Sequence, residues 1–454
     1  MHTPLGLTLA GLAIIALTVG LLIRGKTSPV VAMTLVPAAG ALLLGFSAAE
    51  IGEFFGTGLT SVMNVVVMFI FAIIYFGILQ DIGLFTPVVT ALIRATRGNV
   101  VLVTLGTAAI ATVAHLDGAG ATTFLLTIPA LLPLYRAMHM SRYVLLAIVS
   151  LAASVMNMVP WAGPVGRTSS VIELSPTEIW RHLLPMQGVA LALVFVVALL
   201  LGLSERRRIA RLRRSPEFVG RGEVDVHAIA REFVESQRAE RAAQGYRVRR
   251  ARWASAATAL ISVALLAVLV TGLLPPAPAF LIATTLILPL NFESPTEQTD
   301  AMRRHAPSAL AMASVIIAAA MFLGVLGGSG MLKQIALSLL NVLPASVGPW
   351  VHVIVGYLGV PLDLATSTDA YYFSVLPIVQ ETAGSFGVSA LGAASALIIG
   401  NIIGTFVSPF SPALWLAIGL ARADMGRHLR LSFPLAWGLS AVLVTVALLG
   451  GVLA

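Results

Sequence analysis

The chain has 454 residues, of which 58% are hydrophobic and only 11% charged. Soluble domains carry roughly 25% charged residues, so most of this surface cannot face water. The formal charge is +8, but the basic residues lie between apolar runs. There they orient spans and meet anionic headgroups, and nucleic acid is not a partner.

Crossing a bilayer core takes about 20 apolar residues in a helix. The long apolar runs 186–203 and 438–453 read as helices rather than as the alternating strands of a barrel. The first run, Leu5 to Ile23, is long for a signal segment, lacks a basic flank and is followed by no A-x-A-like site. It reads as a retained span. Full crossings are predicted at 5–23, 29–46, 61–80, 142–172 and 179–203. A polar stretch, 205–251, follows and reads as a cytoplasmic basic connector. Five more crossings are predicted at 252–272, 277–291, 307–328, 388–420 and 431–453. Two further apolar stretches, 100–138 and 346–385, are nearly twice a crossing and are interrupted by small and polar residues. Each reads as a re-entrant helical hairpin. With the N-terminus outside and both hairpins returning to their side of entry, 25 of the 28 Lys and Arg fall inside, as the positive-inside rule asks. The chain has no cysteine, so no disulfide or thiolate site is available.

The halves 1–204 and 252–454 echo each other. Leu116-Asp117 and Leu362-Asp363 open the hairpin tips, Asn157 and Asn401 interrupt apolar spans, and Arg181-His182 and Arg427-His428 precede the last long spans. The offset between partners is nearly constant. Five full crossings per half turn the second copy upside down. The expected fold is therefore an all-α polytopic membrane protein of two inverted-topology repeats, each with one hairpin and one broken helix (142–172 and 388–420). Secondary transporters place their substrate at such paired interruptions near the midplane.

The first tip, His115 to Thr123, offers Gly118 and Gly120 for close backbone approach, with Thr122 and Thr123 as expected caps of the second half-helix. The second, Asp363 to Ala370, offers Ser367, Thr368 and Asp369. Half-helix N-termini attract anions. In the breaks, prolines remove backbone donors and free carbonyls. Asn157 and Gly163 mark the first break, and Asn401, Ser408 and Ser411 the second. Arg167 is the one basic residue predicted within a span. It either grips a substrate carboxylate with its planar fork or pairs with Glu173. His115, Asp117, Asp363 and Asp369 are the candidates for carrying a proton, because a carboxyl at membrane depth is costly to ionise. His352 reads as a packing residue. G-x-S-x-G, H-E-x-x-H and a P-loop are absent, which argues against an enzyme and against ATP-driven transport by this chain alone.

At these motifs the sequence resembles the CitMHS family of metal-citrate/proton symporters, in the ion-transporter superfamily. The resemblance is carried by V-V-M-F-I-F-A-I-I-Y-F-G-I-L-Q-D-I-G-L-F (66–85), L-D-G-A-G-A-T-T, N-M-V-P-W-A-G-P-V-G-R, T-D-A-Y-Y-F-S-V-L-P (368–377) and S-P-F-S-P-A-L-W-L-A-I-G-L-A (408–421). It differs at the tips, where Ala119, Ala121 and Thr368 replace more polar family residues. The resemblance implies citrate as substrate, taken up with a divalent or trivalent metal ion that travels with it, and coupling to protons (or sodium). It implies no tightly bound cofactor and no dedicated protein metal site. It also implies a homodimer in the cell membrane and an elevator-like transport part. A dicarboxylate carrier or an inorganic-ion antiporter of the same superfamily is the alternative.

Overall fold

The computed structural model describes residues 3–24, 27–214, 225–243, 252–342, 344, 346–365 and 368–453. The described residues form helices joined by short loops. In the first half these are α1 (Pro4–Arg24), α2 (Pro29–Leu44), α3 (Ala48–Asp81), α4 (Thr86–Ala95), α5 (Val100–Ala114), α6 (Gly120–Ala137), α7 (Arg142–Met156), α8 (Gly163–Ile172) and α9 (Pro176–Leu212). A connector helix, α10 (Val226–Ala243), follows. The second half has α11 (Arg252–Thr271), α12 (Pro276–Asn291), α13 (Pro295–Gly328), α14 (Met331–Val342), α15 (Val351–Tyr357), α16 (Gly359–Ala365) and α17 (Thr368–Ala370). It ends with α18 (Leu376–Gly384), α19 (Ala390–Asn401), α20 (Pro412–Ala421) and α21 (Met425–Leu449).

Several elements of the two series have similar lengths and ends. α2 and α12 each have 16 residues, and α3 and α13 each have 34. Both long helices start with a capping box, Ser47 with Glu50 and Ser294 with Glu297, in which side chain and backbone satisfy each other's orphan groups. α8 and α20 each run 10 residues and stop at a left-handed non-glycine residue, Glu173 at φ 57° and Arg422 at φ 49°. Non-glycine residues in this left-handed region are uncommon.

Seven of the described helices, α1, α3, α5, α9, α11, α13 and α21, are long and apolar enough to cross a bilayer. The structure redraws several expected spans. α3 and α13 begin well before 61 and 307, because their capping boxes lie upstream of the apolar runs. Within the expected broken spans 142–172 and 388–420, two α-helices are separated by non-α backbone. The short helices α4 and α14 were not expected. The connector is more than a solvated link: α10 packs on α4 and α6, burying Val226, Ala230 and Phe233. Asp225 accepts the Ala228 N–H at 2.9 Å at the start of that helix, which holds its carboxyl below the ordinary range.

Two clusters hold most of the buried apolar side chains among the described residues. The larger joins both helix pairs (α5–α6 and α15–α18), the broken helices and α9 and α21. The second is built on α3, α12 and α13, with residues 156–162 of the first break against it. α3 and α13 cross closely through glycines. A Cβ at Gly58 would lie 2.3 Å from the Ala320 carbonyl oxygen, and one at Gly324 2.3 Å from that of Phe54. Small residues at such crossings let membrane helices pack backbone to backbone. Apolar side chains such as Leu35, Leu43, Leu260 and Ile282 stay exposed on α2, α11 and α12, where lipid can cover them.

Candidate functional site

The first helix pair turns through a 3-10 turn at His115–Asp117 and a left-handed Gly118, φ 69°. Only glycine takes that turn without strain. Trp161 of the first break covers it: a Cβ at Gly118 would be 3.2 Å from the indole, whose Nε1–H donates to the Leu116 carbonyl at 2.7 Å. Thr122 and Thr123 do not cap α6. Their hydroxyls reach back to the Ala119 carbonyl at 2.8 and 3.0 Å. Asp117 caps the turn instead: Oδ1 accepts the Ala119 N–H at 2.9 Å, and Oδ2 contacts the Thr122 hydroxyl. A side chain two residues upstream reaches this N–H more readily than one inside the first turn, the usual Asx geometry.

His115 is fully buried and binds the tip to the first break. Its Nδ1 lies 2.7 Å from Thr123 Oγ1 and its Nε2 2.9 Å from Asn157 Oδ1. Asn157 itself ends α7, and Pro164 at the start of α8 keeps the two halves apart.

The second tip differs. Asp363, in α16, is fully buried and accepts from Asn401 Nδ2 at 3.1 Å, with the Thr368 hydroxyl 3.4 Å from the same oxygen. Ser408 Oγ donates to the Asp363 carbonyl at 2.7 Å. Ser411 precedes α20 without a side-chain capping bond. Ser367 lies outside the described residues. Beyond the tip the chain makes a π-helical turn at Tyr371–Val375, with Tyr371, Tyr372 and Phe373 buried. Such turns gather at functional sites. His352 sits away from the tips, Nε2 to the Leu453 carbonyl at 3.0 Å.

Two of the contacts between the halves join a break to the opposite tip. Arg167, on α8 of the first broken helix, places Nε 2.6 Å from Asp369 Oδ1 of the second tip, not against Glu173. Their side chains are 12% and 16% exposed. Gly163 makes room, since a Cβ there would lie 2.3 Å from the Arg167 Nη1. In the other direction Phe406 of the second break wedges under the first tip. It stands edge-on to His115 and Phe124 at 5.2 and 5.5 Å, and a Cβ at Gly120 would be 2.3 Å from its ring. The structure thus brings both tips and both breaks into one cluster. Sequence reasoning did not single out Trp161, although it lies inside the quoted motif N-M-V-P-W-A-G-P-V-G-R, or Phe406, which lies within the second broken span.

Among the described residues no group of three His, Asp or Glu gathers to hold a metal ion. A cavity of about 390 Å³ lies beyond the C-terminal end of α8, lined by Asn64, Ser169, Glu173, Thr177 and Arg181. A second, of about 280 Å³, lies across α8 between α3 and α13. Neither is lined by described residues of the tips, and both touch α8 of the first broken span through Ser169 or Ser170. One more ionic group sits apart, in the 66–85 motif: Asp81 Oδ2 meets Arg304 at 3.0 Å and His305 at 3.1 Å.

The chain is 32% identical to a citrate transporter of Bacillus subtilis, over 98% of this chain and 99% of that one. It is 30% identical to the Mg(2+)/citrate complex secondary transporter of the same organism, over 97% of both chains. Among solved structures it superposes on the Alcanivorax borkumensis YdaH transporter with a TM-score of 0.59 at 17% identity, covering 99% of both chains. It matches Neisseria gonorrhoeae MtrF, from a class of antimetabolite efflux pumps, with a TM-score of 0.60 at 13% identity over 94% and 95%. At these identities the structures speak to the fold alone. The family profile described as citrate transporter matches residues 6–400. The chain therefore belongs to the CitMHS family of citrate transporters, multi-pass membrane carriers rather than enzymes.

Proposed function

We propose that the protein is a secondary active transporter that takes up citrate as a metal complex by proton symport, with an elevator-like movement. The observation that carries this reading is the Arg167–Asp369 pair, partly buried where the first break meets the second tip. A metal–citrate complex offers carboxylate oxygens and a cation together. A guanidinium beside a carboxylate offers a partner to each. On binding, a citrate carboxylate takes over part of the Arg167 fork and the metal ion draws Asp369. The metal is cargo and needs no protein cage. The resemblance to the Mg(2+)/citrate complex secondary transporter supports the same choice.

The proposed architecture is two halves of opposite orientation, 1–204 and 252–454, with 205–251 inside the cell and the N-terminus outside. The matched helix lengths and caps support it. In it the helix pairs are re-entrant, and Gly118, Gly120, Thr122, Thr123, Asn157, Gly163, Thr368, Asn401, Ser408 and Ser411 line or shape the substrate site with Asp117, Arg167 and Asp369. The α3–α13 crossing supports a static part that also forms a homodimer in the cell membrane, against which the tip-bearing core slides. Uptake of labelled citrate into proteoliposomes tests the reading. Flux should require Mg²⁺ or another multivalent ion and should rise with an inward proton gradient. No uptake under any combination of metal and gradient refutes it, and uptake of succinate in preference to citrate favours a dicarboxylate carrier.

A further inference from the structure

The two tip aspartates occupy corresponding places in the two halves, yet their surroundings differ. Both oxygens of Asp117 have partners in the tip itself, the Ala119 N–H and the Thr122 hydroxyl. It is a local cap. Asp363 is 0% exposed, and its Oδ2 has no hydrogen-bond partner among the described residues. Asn401, also 0% exposed, donates its amide to Asp363 Oδ1, yet its own Oδ1 likewise has no partner. Two buried oxygens without donors thus belong to two side chains already bonded to each other. Leaving either bare is costly. One proton on the carboxyl removes both deficits: the acid O–H gains the amide oxygen as acceptor, while the amide N–H keeps its bond to the other carboxyl oxygen.

The surroundings do not neutralise the carboxylate in another way. α19 (Ala390–Asn401) and the turn Ile402–Gly404, which pack on α16, carry no ionisable side chain. α15 brings His352, bonded to the Leu453 carbonyl, and α21 brings His428, bonded to Ser432. The groups that act on Asp363 electrostatically are Arg167, Tyr371 and Tyr372. Arg167 is already held by Asp369, and Tyr371 turns its hydroxyl to the Leu397 carbonyl at 3.4 Å. A bare cation fits poorly, because the Asn401 N–H is aimed at the carboxylate and the Asp363 carbonyl is taken by Ser408.

We infer that the Asp363–Asn401 pair is the proton site of the carrier, and that Asp117, its counterpart, is not. The inference rests on the proton-symport reading and narrows it to one carboxyl. The proton enters on Asp363 Oδ2 in the substrate-loaded state and leaves from the same oxygen when the site opens to the other side.

The test begins with substrate-free protein. In a pH titration followed by infrared spectroscopy, wild type should show a carboxylic-acid C=O band that Asp363→Asn removes. If Asp363→Asn does not yield a monodisperse protein, Asn401→Ser replaces it and should shift the band. No such band, or a band unchanged in the variants, overturns the inference. Next, thermal stabilisation by Mg²⁺ with citrate is measured across pH. Wild-type apparent affinity should tighten up to tenfold per pH unit lowered, as uptake of one proton requires. In Asp363→Asn, which mimics the neutral acid, the slope should vanish. In proteoliposomes that variant should lose citrate-driven acidification at least tenfold while keeping citrate–citrate exchange. Full acidification in Asp363→Asn, or a sodium requirement of wild type that the variant abolishes, overturns the inference. A titrating Asp363 band without any stabilisation by Mg²⁺ and citrate, by contrast, upholds the proton site and refutes the substrate reading.

Discussion

Arg167 can serve the fold, the substrate or both, and a double-mutant cycle separates these. Arg167→Ala strands Asp369, whose side chain is 16% exposed. Removing one partner of a fully buried pair costs about 3–5 kcal/mol, and the cost here is smaller because water reaches both ends. Adding Asp369→Ala removes the stranded charge and should return most of the lost stability. Affinity behaves differently if the guanidinium holds a citrate carboxylate. A hydrogen bond to a charged group contributes about 1.5–3 kcal/mol, so Arg167→Ala should weaken Mg²⁺–citrate binding by about 10- to 150-fold. The double variant should stay weak. Arg167→Lys keeps the charge but loses the fork and should fall between the two. Thermal unfolding in detergent reads stability, and ligand-dependent stabilisation with counterflow in proteoliposomes reads affinity. If the double variant regains both stability and affinity, Arg167 is a structural partner of Asp369 and the substrate role is wrong.

Other consequences follow from contacts already described. Gly324→Leu drives a side chain into the Phe54 carbonyl and should lower stability by about 1–3 kcal/mol, read as a drop in melting temperature. Gly120→Ala meets the Phe406 ring and should reduce citrate uptake at least tenfold, with part of it restored by Phe406→Leu; a fully active Gly120→Ala would show that the wedge is dispensable. Asn157→Leu leaves the His115 Nε2 without its partner and should cost about 1–3 kcal/mol in thermal unfolding, as an unsatisfied buried group does. Phe233→Ser should free α10 from α4 and α6, so that limited proteolysis cuts within 226–243 faster than in wild type.

Much of this was legible in the residue order because membrane burial imposes simple patterns. The apolar runs, the proline-bearing breaks and the paired L-D tips are local signals, and the helices follow them. What was not legible depends on contacts between distant segments. Nothing near Arg167 in sequence points to Asp369, about two hundred residues on, while Glu173 lies close by and is the obvious but wrong partner. The capping role went to Asp117 rather than to the threonines, because the choice depends on how Gly118 turns the chain. The amphipathic connector helix was hidden by its many charges, since only three of its side chains need to be buried for it to dock.

The pattern of contacts also bears on how the proposed movement would work. Each break is bonded to the tip of its own half, His115 to Asn157 and Asn401 to Asp363. Each half also reaches across, Arg167 to Asp369 and Phe406 to the first tip. Four segments linked both ways form a closed ring of contacts, and such a ring resists opening at any one point. A substrate bound there has two routes out: the ring deforms, or the whole ring moves. The close backbone crossing of α3 with α13 favours the second route, because it makes that pair a rigid wall against which residues 156–162 of the first break pack, while most of the ring lies in the larger core. The same argument predicts where function is most fragile. Cutting one cross-half contact, as in Arg167→Ala, should let the ring open and leak substrate, whereas loosening the wall should slow the movement without changing affinity. Measuring Mg²⁺–citrate affinity and exchange rate together on Arg167→Ala and Gly324→Ala distinguishes these outcomes, and equal effects of both variants on both quantities would refute the division into wall and ring.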